Sequence, residues 1–203
     1  PVSFADDSWS TIVAAIQSGN TSNYNVGDTK TVDMGSLGTH TLRIANKSTP
    51  AECSTTGFSQ TACGFVLEFA DIITTHVMNS TNTNVGGWPA SEMRTYVNSD
   101  IYNALPDDLK DVIIPTYVVS GHGNTSGEEN FVTEQDKLYL LSGKEIYGSD
   151  SYATAVNLTR QLDYYENACV TTTSNYSEAI KQNYRSSWWL RSADPTRICC
   201  FYH

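Results

Sequence analysis

The sequence predicts one α+β domain spanning residues 1–203, built of short mixed or antiparallel strands with peripheral helices. Three observations predict it. Apolar residues recur at helical spacing at Trp9, Ile12, Val13 and Ile16, and again at Met93, Tyr96, Val97, Ile101 and Leu105. They alternate every second residue at Phe65, Leu67 and Phe69, the period of a strand. No repeat, long linker or break in composition divides the 203 residues, a length that suits a single domain.

Asp6-Asp7-Ser8 supplies cap residues for an amphipathic helix from Trp9 to Ile16, which Gly19-Asn20 ends. Thr29–Met34 and Thr39–Ala45 read as a hairpin joined by Gly35-Ser36-Leu37-Gly38. Residues 46–61 form a polar loop, and Gly64–Ala70 a strand that Ile72–Met78 extends. Pro89–Val97 opens a second helix, after Gly86-Gly87, where glycine permits an unusual backbone entry. Pro106 starts a third, short helix with Asp107 and Asp108 in its first turn. The β-branched run Val112–Ser120 and the segment Lys137–Leu141 read as strands. Asn157–Asn167 and Ser177–Asn183 read as helices, and Ser187–Ser192 and Ile198–Tyr202 as strands.

Twelve basic against 22 acidic residues leave a net charge of −10, which argues against nucleic acid and anionic membranes as partners. Charged residues make up 17% of the chain, while Ser, Thr and Asn make up about 30%. Tyrosine is abundant at 12 residues, giving a neutral, hydroxyl-rich surface of the kind used for recognition. No apolar run reaches the ~18 residues of a membrane span, so no membrane insertion is expected. Pro1–Asp7 lacks the basic and apolar regions of a signal peptide, as expected of a chain beginning after a cleaved one. The six Asn-x-Ser/Thr sequons are what chance gives in such a composition.

Of five cysteines, Cys53 and Cys63 flank a short polar loop. That spacing fits a disulfide in an oxidising compartment or two packed thiols equally well. Cys199 and Cys200 are adjacent on an expected strand, where they should face opposite sides and not readily bridge each other. His40, His76, His122 and His203 lack metal-ligand spacing, and Gly148-Ser149-Asp150-Ser151 is a poor calcium loop, so no metal and no cofactor is expected. Asp107-Asp108 and Glu128-Glu129 read as helix-dipole partners and solvated loop charges. Cys169 has no base nearby in sequence. The chain has none of the Gly-rich phosphate loops, zinc motifs or nucleophile elbows that announce an enzyme, and no catalytic residue is assigned. Trp88 reads as a core anchor for its helix. The adjacent Trp188 and Trp189 point to opposite faces of a strand, one of them into the core.

Three segments carry a resemblance: Gly86-Gly87-Trp88-Pro89-Ala90-Ser91-Glu92-Met93-Arg94-Thr95-Tyr96-Val97-Asn98, Asp136–Ser142 with Glu145–Gly148, and Trp188-Trp189-Leu190-Arg191-Ser192. From about Trp9 onward the chain resembles a domain family of uncharacterised function found in secreted and cell-surface proteins of gut-dwelling Gram-positive bacteria. That family is in turn similar to the C-type-lectin-like fold, akin to formylglycine-generating enzymes and to the variable proteins of diversity-generating retroelements. Against that pattern the chain stops short at Phe201-Tyr202-His203, before a further hairpin. A sheet that pairs its terminal strands would then keep an exposed edge. Cys199 and Cys200 do not match the copper-binding cysteine pair of the formylglycine-generating enzymes.

The resemblance implies a secreted or cell-surface binding or adhesion module for a glycan or a surface protein. Its expected ligand face runs from Ser192 to Tyr202, with Arg191, Asp194, Arg197 and Tyr202 supplying hydrogen bonds and a stacking surface. Trp88, Arg94, Trp188 and Trp189 are expected to be the scaffold beneath it. The alternatives are a self-associating subunit of a surface filament or layer, and an extracellular enzyme on glycan or peptide.

Overall fold

In a computed structural model of the chain, residues 1–121, 123, 130–132 (backbone), 135–149, 158–183, 187–194 and 197 are described. The architecture is a mixed α+β arrangement of one three-stranded antiparallel sheet, a small two-stranded sheet and several short helices. Helix α1 (Trp9–Gln17) starts where the Ser8 hydroxyl accepts a hydrogen bond from the Thr11 amide at 3.2 Å. It buries Trp9 and Ile12 of the predicted stripe together with Ala15, while Val13 and Ile16 are half-buried.

Strands β1 (Thr29–Asp33) and β2 (Thr39–Asn46) form the expected hairpin, with a 3-10 turn over Gly35–Leu37. Strand β3 (Val66–Phe69) pairs antiparallel with β2 in the order β1-β2-β3, so among the described residues β3 is an edge. The loop between β2 and β3 is cross-linked by a Cys53–Cys63 disulfide. This spacing left bridge and thiols equally open in sequence, and the structure pairs them.

The Gly-Gly-Trp segment enters its helix in two steps. A single turn, α2 (Gly87–Ala90), follows Gly86, whose φ of +82° is a left-handed conformation. A Cβ at Gly86 would sit 2.5 Å from the Ala90 Cβ, so both the backbone angle and the space require glycine. Ser91 is then extended and caps α3 (Glu92–Tyr96), its hydroxyl accepting from the Arg94 amide at 3.1 Å. The helix runs on through a π turn (Val97–Ile101) into α4 (Tyr102–Ala104). Helix α5 (Asp107–Lys110) follows Pro106. Strands β4 (Val119–Gly121) and β5 (Asn130–Val132) form the second sheet. Helix α6 (Gly143–Tyr147) has a complete Ser142/Glu145 capping box, and α7 (Asp163–Asn167) lies near it.

Several expected elements come out differently. β3 ends at Phe69, and 72–78 is irregular. Of the Val112–Ser120 run only Val119 and Ser120 lie in a strand, which continues to Gly121, with an isolated bridge from Thr116 to Asp136. Lys137–Leu141 and Ser187–Ser192 lie in no strand; a single backbone bond, from the Arg191 amide to the Leu141 carbonyl at 2.9 Å, links them. The expected Asn157–Asn167 helix is formed only from Asp163, and 177–183 holds just the end of a 3-10 turn at Tyr176–Ala179. The proposed strand Ile198–Tyr202 lies outside the described residues. Propensity identified chain able to form strands, but pairing depends on a neighbour that local sequence does not specify.

Among the described residues, two apolar clusters form the interior. The larger gathers Phe4, Trp9, Ile12, Tyr24, Leu42, Ile44, Trp88 and Val97 between α1, the sheet and α3. Burial and a hydrogen bond to Asp7 at 2.7 Å push the Tyr24 phenol up to about 12. The smaller cluster packs Ile146, Leu162, Tyr165, Val170 and Leu190 around α6 and α7.

The disulfide closes a separation of 10 residues. Replacing both cysteines with alanine is expected to cost about 2–3 kcal/mol by loss of denatured-state constraint. Chemical denaturation of oxidised wild type against the double variant measures it; equal midpoints would contradict the assignment.

Candidate functional site

An apolar cleft of about 510 Å³ opens between β3, α1, α3 and the segments 137–141 and 187–189. Its volume and lining suit a binding site, an apolar pocket with few polar groups. The strand alternation turns Phe65, Leu67 and Phe69 toward the larger core, and all three reach the cleft wall. Ile12 and Ile16 of α1 and Met93, Tyr96 and Val97 of the α3 region supply the opposite side. His76 stacks on Tyr96, ring centroids 3.9 Å apart, and its Nδ1 lies 2.7 Å from the Val77 carbonyl.

Both tandem tryptophans border this cleft. The expectation of opposite faces assumed a strand, and 187–190 is not one. The Trp188 indole donates to the Ala179 carbonyl at 3.1 Å and packs under Lys181, whose Nζ is 4.4 Å from the ring centre. Trp189 is 37% exposed and donates to the His76 carbonyl at 3.1 Å. It stands on the rim with an apolar face to solvent.

The polar part of the wall is a buried ion cluster on β3. Glu68 accepts from Arg43 at 2.7 Å, from Lys181 at 3.1 Å and from the Tyr165 hydroxyl at 2.9 Å. Burial alone would raise its pKa; Lys181 and Arg43 outweigh that and hold the carboxyl below its usual range. Burial lowers the Lys181 ammonium, although Glu68 opposes it. Burial and the Glu68 charge also push the Tyr165 phenol well up.

The second buried ion pair determines where the Trp-Trp-Leu-Arg-Ser motif lies. Arg191 is fully buried and forms a fork with Glu145 at 2.6 and 2.5 Å. It also donates to the Leu140 carbonyl at 2.8 Å and to the Val119 carbonyl at 3.3 Å. Glu145 accepts further from the Thr159 hydroxyl at 2.9 Å, the Ser142 amide at 2.8 Å and the Thr61 hydroxyl. Burial would raise this carboxyl and the Arg191 guanidinium lowers it, so it remains an anion. One guanidinium therefore ties the 137–141 segment, β4, α6 and the tryptophan strip together.

Of the expected ligand residues, Arg191, Asp194 and Arg197 are described, and they differ in exposure. Arg191 is an internal strut and offers no atom to a ligand at the surface. Asp194 is buried, 3% exposed, and accepts from the Arg197 amide at 3.1 Å. Arg197 is exposed, and Tyr202 lies outside the described residues, as do Cys199 and Cys200. Trp88 is completely buried; its indole donates to Asp136 at 2.9 Å, and Arg94 binds the same carboxylate at 2.8 Å. That clamp anchors the start of α3 to the 136–138 segment.

Sequence reading missed Glu145, whose signal was the Ser142-x-x-Glu145 capping box. It also missed Glu68 and Lys181, buried charges brought together over 113 positions, which nothing local announces. Among the described residues no three His, Cys, Asp or Glu side chains are grouped to hold a metal ion. Among them, too, no helix is long and apolar enough to cross a membrane.

The fold and cleft thus define a mixed α+β domain with an apolar recess beside a sheet edge. The chain belongs to a family described only as a domain of unknown function, DUF6273, whose model matches residues 65–203, from the start of β3 through the tryptophan strip. No curated protein and no solved structure matches it.

Replacing Glu145 with leucine leaves the Arg191 charge buried and unpaired, and should cost about 3–5 kcal/mol. The double variant Glu145→Leu/Arg191→Met should recover most of that loss. Denaturant midpoints of the three proteins test the pair; a double variant no better than the single would contradict it. Glu68 and Glu145 are both held below their ordinary value of 4.5 when folded. The unfolded chain therefore takes up protons first, and the stability they confer above that pH should be lost as pH falls through the folded values. Thermal midpoints across pH 3–7 check this, and a Glu68→Gln variant should show a shallower acid slope.

Proposed function

We propose that this domain is a binding module, secreted or displayed on a cell surface, that holds the apolar part of a partner protein in the cleft beside β3. One observation carries the reading: an open recess of about 510 Å³ lined by aromatic and aliphatic side chains, with Trp189 on its rim. Apolar area buried there contributes about 25 cal/mol per Å² removed from water. Aromatic side chains that become buried at the centre of an interface dominate protein recognition, and Trp189 would be one once the cleft is filled. A glycan would meet a wall with few hydrogen-bonding groups, so a surface protein is the better-supported of the two partner classes.

The Cys53–Cys63 disulfide supports an oxidising compartment. The net charge of −10 supports a partner other than nucleic acid. The Gly-Gly-Trp and Trp-Trp-Leu-Arg-Ser segments support a C-type-lectin-like architecture through the resemblance described above.

The labelled domain is expected to bind protein spots on an array of extracellular proteins and glycans. Replacing Trp189 with glutamate should abolish that binding and leave the thermal midpoint within a few degrees. Binding confined to glycans, or to no spot at all, would contradict the proposal.

A further inference from the structure

β3 lines the cleft and stands at the end of its sheet's strand order among the described residues. The Ile44 amide and carbonyl bond to Asp28 and Gly27 on the β1 side, so Arg43 faces β3 and pairs with Glu68. By alternation Leu67 and Phe69 direct their amides and carbonyls away from β2. The Phe69 carbonyl takes Lys181 at 2.7 Å, and among the described residues no strand pairs with this edge. On the other side of the same cleft lies Lys137–Leu141, a segment with strand composition that lies in no strand. Two segments able to extend a sheet therefore flank an apolar recess.

The charges of the wall say what fits between them. Glu68 and Lys181 face each other, Asp71 is 2.9 Å from His40, and Lys137 donates to the Tyr102 hydroxyl at 2.8 Å. Glu68 and Lys181 are paired with each other and both Asp71 oxygens are hydrogen-bonded, by His40 and the Thr41 amide, while Lys137 on the far wall meets only a neutral phenol, so the β3 side of the recess complements an uncharged occupant. An apolar side-chain row with an open backbone edge is the combination that β-strand addition uses.

We infer that the cleft is the seat of an uncharged, extended peptide segment of a separate protein, added antiparallel or parallel to β3 as a fourth strand. The inference rests on the proposed cleft-binding function and names its mode. Main-chain bonds to Leu67 fix the segment in place, and alternate side chains enter the recess beside Leu67 and Phe69.

The test uses a seven-residue fluorescein-labelled peptide of alternating valine and threonine. Two further versions are N-methylated at the odd or at the even residues, so that each lacks the donors of one edge. Fluorescence anisotropy with the unaltered chain keeps misfolding out of the comparison. The parent peptide is expected to bind, and at least one methylated version to bind about tenfold or more weakly. Equal binding by all three overturns strand addition and leaves apolar cleft binding standing. No binding by the parent also overturns it, and the array experiment then decides the broader reading independently. A dimer in sedimentation that the peptide splits would place a second copy on β3 and overturn the separate partner.

Discussion

The constraint on which the rest of the structure depends is that the larger apolar core is open on one side. Ile12, Leu42, Met93 and Val97 belong to that core and also line the cleft. Apolar side chains facing an open recess forgo the dispersion contacts that a closed interior supplies. Walls held in place by interactions elsewhere keep such a recess from closing. Here buried charge does that work, with Glu68 bracing β3 from within and Arg191 bracing the opposite wall.

The two ion pairs are not equivalent. Arg191–Glu145 is entirely enclosed and joins segments distant in sequence, so it determines how the tryptophan strip meets α6. Arg43–Glu68–Lys181 spans the sheet and reaches the cleft, where Lys181 packs on Trp188. A buried pair is often no better for stability than an apolar replacement, but removing one partner is costly. Both clusters are therefore best understood as devices for position.

Local patterns carried the parts of the fold that depend on local physics. The Ser8 cap and the Trp9-Ile12 spacing gave α1, and the glycine-bounded turn gave the β1–β2 hairpin. The helix after Trp88 was legible too, although not its break at Ser91 or its π turn. Strand composition at 112–118 and 137–141 was legible, but pairing was not, because it needs a partner that the local sequence does not name. The candidate site was the least legible part. Arg191 resembles a surface residue in a polar motif, and only three-dimensional proximity to Glu145 shows it to be internal.

Hydrogen exchange at single residues of β3 tests the open side most directly. The Glu68 amide faces β2 and the Leu67 amide points away from it, so adjacent amides of one strand should differ widely in protection. The account predicts a protected Glu68 amide beside a rapidly exchanging Leu67 amide. Equal, strong protection of both would show that the edge is already paired, and would contradict an open seat beside β3.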